Sequence, residues 1–110
     1  MNTFKEFVLT NGEKVKLTLT FGKLNVLKSY DNALYTKFNK ILAGKSEDIL
    51  DLTTIIYVAY WCYNFSVEKK NDIYKEQDFL ELVPFDINSI KQSFNALTQP
   101  KKNMGFENRS

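Results

Sequence analysis

The most apolar and aromatic stretch of the chain runs from Glu47 to Phe65, and every other segment is more amphipathic. It begins with carboxylates, which are favourable at the positive end of a helix dipole, and Ser46 before it is a good N-cap residue. From Ile49 onwards, apolar residues cover nearly the whole helix circumference, so such a helix must be covered on more than one side. A buried strand is the alternative, because β-branched and aromatic residues are frequent here. The length and the acidic start favour a central helix.

Two alternating, β-prone runs precede this stretch, Phe4 to Leu9 and Val15 to Phe21, and Asn11-Gly12 lies between them. Asn-Gly favours a two-residue type I′ turn. The resulting register would pair Val8 with Val15, Glu6 with Leu17, and Phe4 with Leu19. It predicts an inner face, packed on the helices, of Phe4, Val8, Val15, Leu17, Leu19 and Phe21. Phe7 and Leu9 then fall on the outer face, where either the C-terminal segment covers them or the face or free edge docks another subunit.

Three further helices are predicted from apolar residues at helical spacing. The first runs through Lys23 to Leu42, with the inner stripe Leu27, Tyr30, Leu34, Phe38 and Ile41, and could break near Ser29-Tyr30-Asp31. A short helix follows in KEQDFLELVP, and a last helix begins after Asp86, a good N-cap, with the stripe Ile87, Ile90, Phe94 and Leu97. The predicted fold class is α+β, with an N-terminal antiparallel β-hairpin packed on a bundle of about four α-helices. Residues 1–100 would form a single domain and residues 101–110 a flexible C-terminal tail.

The composition mainly excludes classes of protein. The 110 residues suit one domain, and 44% hydrophobic residues indicate a globular chain. The formal charge of +2 comes with lysines scattered along the chain, which argues against nucleic acid as the main partner. The N-terminus has no basic region followed by an apolar one, so we expect no signal peptide and a cytoplasmic protein. The apolar run is shorter than the ~20 residues of a membrane span.

Candidate chemistry is sparse. Without histidine, the chain can form neither a Ser-His-Asp triad nor a His-bearing zinc site. Cys62, the one cysteine, lies in the apolar run without a cationic neighbour, which indicates an inert core residue. The carboxylates Glu76, Asp78 and Glu81 are interpreted as solvated surface. We predict no catalytic residue, cofactor or metal, and therefore no enzyme.

The order of these segments resembles a known family. A hairpin with an Asn-Gly turn, a helix, ILDLTTIIYVAYWCYN, YKEQDFLELVPFDINSIKQSFNAL and a Lys-rich end are similar to the tail assembly chaperones of long, non-contractile-tailed phages and prophages of Gram-positive bacteria. The similarity covers most of residues 3–103. Its most suggestive part is Tyr74 to Leu82 followed by Asp86: an aromatic residue, an acidic pair, Phe-Leu, and a short acidic link into a final helix. Lys75 departs from the small capping residue expected there.

The resemblance implies a non-enzymatic role. Such proteins bind the long, helical, aggregation-prone tape-measure protein, keep it soluble while tail-tube subunits assemble around it, and leave before the virion is complete. The implied partners are the tape-measure protein and the tail-tube protein, with no membrane or nucleic acid. The implied location is the host bacterial cytoplasm and not the mature virion. Self-association is compatible with the hydrophobic content. The candidate partner-binding residues are Phe7, Leu9, Tyr57, Tyr60, Trp61, Phe79 and Phe94.

Such chaperones are typically made in two forms, the longer by a programmed −1 ribosomal frameshift. The codons of Lys101, Lys102 and Asn103 could read AAA AAA AAC, which contains the slippery heptamer A AAA AAC. Residues 104–110 would then be the zero-frame end of the short form; an ordinary polar tail is the alternative. Two other classes stay open, a structural protein of the virion tail or head completion, and a small nucleic-acid-binding regulator, which would show steeply salt-dependent binding.

Overall fold

An N-terminal β-hairpin is followed by five helices in the computed structural model, which describes residues 4–68 and 72–99. The elements are β1 (Lys5–Val8), β2 (Lys14–Leu17), α1 (Phe21–Tyr30), α2 (Asn32–Ala43), α3 (Ile49–Asn64), α4 (Glu76–Leu82) and α5 (Ile87–Thr98). The strands pair antiparallel. The predicted α+β class, with a hairpin on a helical bundle, is confirmed.

The hairpin loop is one residue longer than predicted. The Leu9 N–H donates to the Glu13 carbonyl at 2.8 Å, and the Gly12 N–H donates to the Leu9 carbonyl at 2.9 Å. Gly12 has a φ of 88°, whereas the only other residue with positive φ in the described part of the chain is Lys45. Asn11 therefore lacks the positive φ of a type I′ turn, and the loop has three residues with a left-handed glycine at its end.

This longer loop shifts the strand register, so that Phe7 pairs with Val15 and Val8 with Lys14. Because side chains alternate between the faces of a strand, a shift of one residue turns β1 over. The predicted faces of β1 are therefore wrong. Phe7 and Leu9 are buried, whereas Phe4 and Val8 are exposed. Phe7 and Leu9 lie in the core, and α5 contacts β1, which agrees with the prediction that the C-terminal segment covers them.

The predicted long helix breaks into α1 and α2 at Asp31, one of the positions considered for a break. The Asp31 N–H donates to the Leu27 carbonyl at 2.7 Å and ends α1. The Asp31 carboxylate accepts from the Leu34 N–H at 3.1 Å and caps α2. The break accounts for five helices where about four were predicted. It also turns Tyr30 outwards, although that residue was predicted to lie on the inner stripe.

The central stretch is a helix and not a strand. Its cap is Asp48, which accepts from the Leu50 N–H at 2.8 Å, and not Ser46 as predicted. The Ser46 hydroxyl instead donates to Asp51 at 2.6 Å. Residues 54–62 are all buried, and α3 contacts β2 and all four other helices. This confirms that α3 is covered on more than one side, as its uniformly apolar surface requires.

The last two helices follow the predicted pattern with one exception at each start. Asp86 caps α5 by accepting from the Ser89 N–H at 3.1 Å, as predicted. Ile87 of the predicted apolar stripe is nevertheless exposed. Lys75 stands at the N-cap of α4 and makes no side-chain hydrogen bond to that helix. The predicted tail, 101–110, lies outside the described residues. Within the described ranges, no helix is long and apolar enough to cross a membrane.

Candidate partner-binding surfaces

The residues predicted to bind a partner belong mostly to the core. Six of them are at most 6% exposed and the seventh, Phe94, is half-buried. The six are Phe7, Leu9, Tyr57, Tyr60, Trp61 and Phe79. These six are core residues, because the hairpin and the helices around α3 pack together over them, and their part in partner binding stays a prediction.

Two tyrosines of α3, Tyr57 and Tyr60, connect α3 to α4 and to the segment before α4. The ring of Tyr60 stacks on Phe79 with centroids 4.7 Å apart, and the ring of Tyr57 lies 5.4 Å from the same phenylalanine. The Tyr57 hydroxyl donates to the Tyr74 carbonyl, and the Tyr74 N–H donates to the Tyr60 hydroxyl, both at 2.8 Å. These contacts fasten α4 and the segment before it onto α3. Burial raises the pKa of both phenols, so they remain neutral hydrogen-bonding groups.

The remaining candidate groups for chemistry are also structural. Cys62 is buried, and burial raises the pKa of its thiol to about 12, so the nucleophilic thiolate is not formed near neutral pH. Glu76 was interpreted as solvated surface, but its carboxylate accepts from Lys37 at 3.1 Å and from Thr54 at 3.4 Å. It therefore links α2, α3 and α4. No cluster of His, Cys, Asp or Glu in residues 4–68 and 72–99 could hold a metal ion.

One apolar depression lies between α1 and α2 and is closed at one side by the end of α5. We call it the α1–α2 groove; its volume is about 480 Å³. Its lining residues are Leu19, Thr20, Phe21, Leu24, Asn25, Lys28, Tyr35, Phe38, Asn39, Leu42, Leu97 and Thr98. Phe21 stands at the first position of α1 and is 91% exposed. Lys28 is the only charged residue of the lining, and its Nζ lies 5.7 Å from the centroid of the Tyr35 ring.

A second, smaller depression of about 160 Å³ lies where the start of α3 meets the connection between α4 and α5. We call it the α4–α5 corner; it is lined by Ile49, Leu50, Thr53, Leu80, Val83, Pro84, Phe85, Asp86, Ile87 and Ile90. Phe85 is 94% exposed and Leu50 is 70% exposed. The single charged residue of this lining is acidic, Asp86.

The sequence contained a signal for one exposed residue of these surfaces. Phe85 stands between Pro84 and the cap Asp86, outside any periodic run. An apolar residue at a position that the pattern assigns to solvent is the mark of such a surface. Phe21 carried no such mark, because alternation along the predicted strand Val15 to Phe21 placed it on the inner face. That prediction is wrong, since Phe21 begins α1 and is exposed.

Comparison of the chain with protein-family models, curated proteins and solved structures found no match.

Proposed function

We propose that the chain is a tail assembly chaperone of a Gram-positive phage or prophage with a long, non-contractile tail. In this role it binds the tape-measure protein and keeps it soluble while tail-tube subunits assemble around it. Two things support the proposal: the resemblance in the order and character of the segments, and the apolar surface that the fold leaves uncovered.

The exposure of Phe21, Phe85 and Leu50 carries the proposal. Each is at least 70% exposed. Covering one side chain of this size is worth about 1.5–3 kcal/mol, which a partner could recover. Exposed apolar surface next to a concave lining is typical of protein-binding sites, and binding at such a surface requires no catalytic residue.

The positions of the two surfaces suit an extended helical partner. Leu97 lines the α1–α2 groove and Ile87 lines the α4–α5 corner, so the two sites lie at opposite ends of α5. At 1.5 Å per residue, these positions are about 15 Å apart along the helix. A long helical protein with recurrent apolar stripes could contact both sites of one chaperone, or one site on each of several.

The direct test is co-expression with a tape-measure protein from the same genome. We expect the tape-measure protein to move from the insoluble to the soluble fraction and to co-purify with the chain. A variant with both Phe21→Ser and Phe85→Ser should lose this effect while keeping the fold, because both side chains are almost fully exposed. An unchanged insoluble fraction with the unmodified chain would refute the proposal. Detection of the chain in purified virions would instead favour a structural tail or head-completion protein.

The nucleotide sequence supplies an independent test of the predicted longer form. The codons of Lys101, Lys102 and Asn103 should contain a slippery heptamer that leads into an open −1 frame. A different codon choice there, with a closed −1 frame, would remove the frameshift from the proposal.

A further inference from the structure

The α1–α2 groove has a shape and a charge that indicate one kind of occupant. We propose that it is the docking site for an amphipathic α-helix whose polar face is acidic. On the function proposed above, this helix would be a segment of the tape-measure protein.

The lining favours a helix with an apolar stripe. Leu24 of α1, Phe38 and Leu42 of α2 and Leu97 of α5 provide apolar contacts from three helices. Phe21 projects from the start of α1 at the rim, where it can pack against the side of an inserted helix. A groove between helices that takes apolar side chains at positions i, i+3 or i+4, and i+7 is a recurrent mode of peptide recognition. No strand lines the groove, so pairing with an extended peptide is not supported.

The charge around the groove favours an acidic occupant. From Phe21 to Ala43, the only acidic residue is Asp31, and α5 contains none. The Asp31 carboxylate is occupied in capping α2. Lys28 lines the groove and is exposed, so its ammonium group is available to a carboxylate of an incoming helix. Complementary charge increases the association rate and selects between otherwise similar helices.

Other occupants fit these observations less well. Leu97 and Thr98 line the groove, so residues 100–110 follow directly from its edge. That segment, however, contains Lys101, Lys102 and Arg109 against a single Glu107, and therefore has the same sign of charge as Lys28. A second copy of the chain could offer Phe85 beside Asp86, but these residues lie in a link between helices and not on an amphipathic helix.

The test uses the full chain and two labelled synthetic peptides of about 18 residues, which form five helical turns. Both carry the same leucine stripe; one has glutamate and the other lysine at its polar positions. Fluorescence anisotropy should show that the glutamate peptide binds about tenfold more tightly or better, and that its affinity falls with added salt. Equal binding of the two peptides, or no binding of either, would overturn the proposal.

Substitutions locate the site. Phe21→Ser should weaken binding of the glutamate peptide at least about fivefold, as expected for an aromatic anchor. Lys28→Glu should weaken it similarly and improve binding of the lysine peptide. The matched controls are Val67→Ser, at an exposed apolar residue outside both surfaces, and Lys14→Glu on the hairpin. Both controls should stay within about twofold of the unmodified chain. Phe85→Ser probes the other surface, and a larger effect at Phe85 than at Phe21 would place the site elsewhere and overturn the proposal.

Two further results would contradict the assigned occupant. If a peptide of residues 100–110 displaces the glutamate peptide, the chain's own segment is the occupant. If Phe21→Ser converts an oligomer into a monomer in sedimentation, a second copy is the occupant.

The failure of this inference can be distinguished from that of the proposed function. A tape-measure protein that still co-purifies with the Phe21→Ser and Lys28→Glu variants would leave the chaperone role standing and refute the groove. Specific binding of the glutamate peptide without any effect on tape-measure solubility would support the groove and refute the chaperone role.

Discussion

Phe7 on β1 and Phe4 just before that strand provide a direct test of the hairpin register. Phe7 is 4% exposed and Phe4 is 47% exposed, whereas a two-residue Asn-Gly turn would reverse these positions. We expect Phe7→Ala to destabilise the protein strongly and Phe4→Ala to destabilise it much less. The substitution is chemically the same at both positions, so the difference between the two variants reports on burial.

The magnitude follows from the buried areas. A phenylalanine side chain can bury about 200 Å². A difference in burial of about two-fifths corresponds to about 80 Å², which is ~2 kcal/mol at ~25 cal/mol per Å². The cavity left by Phe7 adds to this, so Phe7→Ala should cost about 3–5 kcal/mol. Phe4 retains an edge-to-face contact with Tyr63, at 5.5 Å between centroids, and its loss should cost about 1–2 kcal/mol.

The assay is urea unfolding followed by the fluorescence of Trp61, the single tryptophan, which is buried and stacked on Phe65 at 4.2 Å. If Phe7→Ala is unfolded without urea, Phe7→Leu supplies a measurable step of about 1–1.5 kcal/mol. The unfolding midpoint should fall by more for Phe7→Leu than for Phe4→Leu. Equal losses, or a larger loss at Phe4, would refute the register and with it the assignment of Phe7 to the core.

Three further predictions concern helix ends and pH. Lys45 has a φ of 53° at the end of α2, so Lys45→Gly should raise the free energy of unfolding by about 0.5–1 kcal/mol in urea unfolding. Lys75 occupies the N-cap of α4 with extended φ and ψ but makes no capping bond, so Lys75→Ser should add about 0.5–1 kcal/mol in the same assay. Burial raises the pKa of Cys62 from its ordinary 9.0 to about 12, and that of Tyr57 also rises. The folded state therefore keeps protons that the unfolded state releases, so stability present below pH 9 should fall as the pH rises towards 12, by ~1.4 kcal/mol per pH unit for each titrating group.

Each of these predictions has a matched control. Lys40→Gly, inside α2, should lower the free energy of unfolding by about 1 kcal/mol, whereas Lys45→Gly should raise it. A lower value for both variants would contradict the strain at Lys45. Asp86→Ala should lose about 1 kcal/mol because it removes an existing cap, and a neutral effect would show that such caps contribute little here. Cys62→Ala should flatten the pH dependence between pH 9 and 10, and an unchanged slope there would assign it to other groups.

The helices were largely predictable because their signals are local. The capping residue Asp86, the stripe of Ile90, Phe94 and Leu97, and the apolar run of α3 each act within a few turns of chain. The apolar run also predicted correctly that α3 lies at the centre, since no face of it could stay in water. The break at Asp31 was recognised as an option and not decided, because Asp can either cap a new helix or lie on the surface of a continuous one.

The strand register of the hairpin could not be predicted from local sequence signals. Asn11-Gly12 is compatible with a two-residue and a three-residue loop, and the two differ in which face of β1 enters the core. Both faces of this strand carry apolar residues, so the hydrophobic pattern alone did not decide between the two loops. The packing of Phe7 and Leu9 into the core, while Phe4 and Val8 stay outside, resolves the choice.

The candidate site depended on tertiary structure for the same reason. The sequence determined that 44% of the residues are hydrophobic and that the chain lacks histidine. It did not determine which of them remain exposed, because burial depends on how α1, α2 and α5 close around α3. The aromatic residues of α3 are buried by those neighbours. Phe21, the first residue of α1, and Phe85, in the link between α4 and α5, stay exposed because no neighbour packs over them.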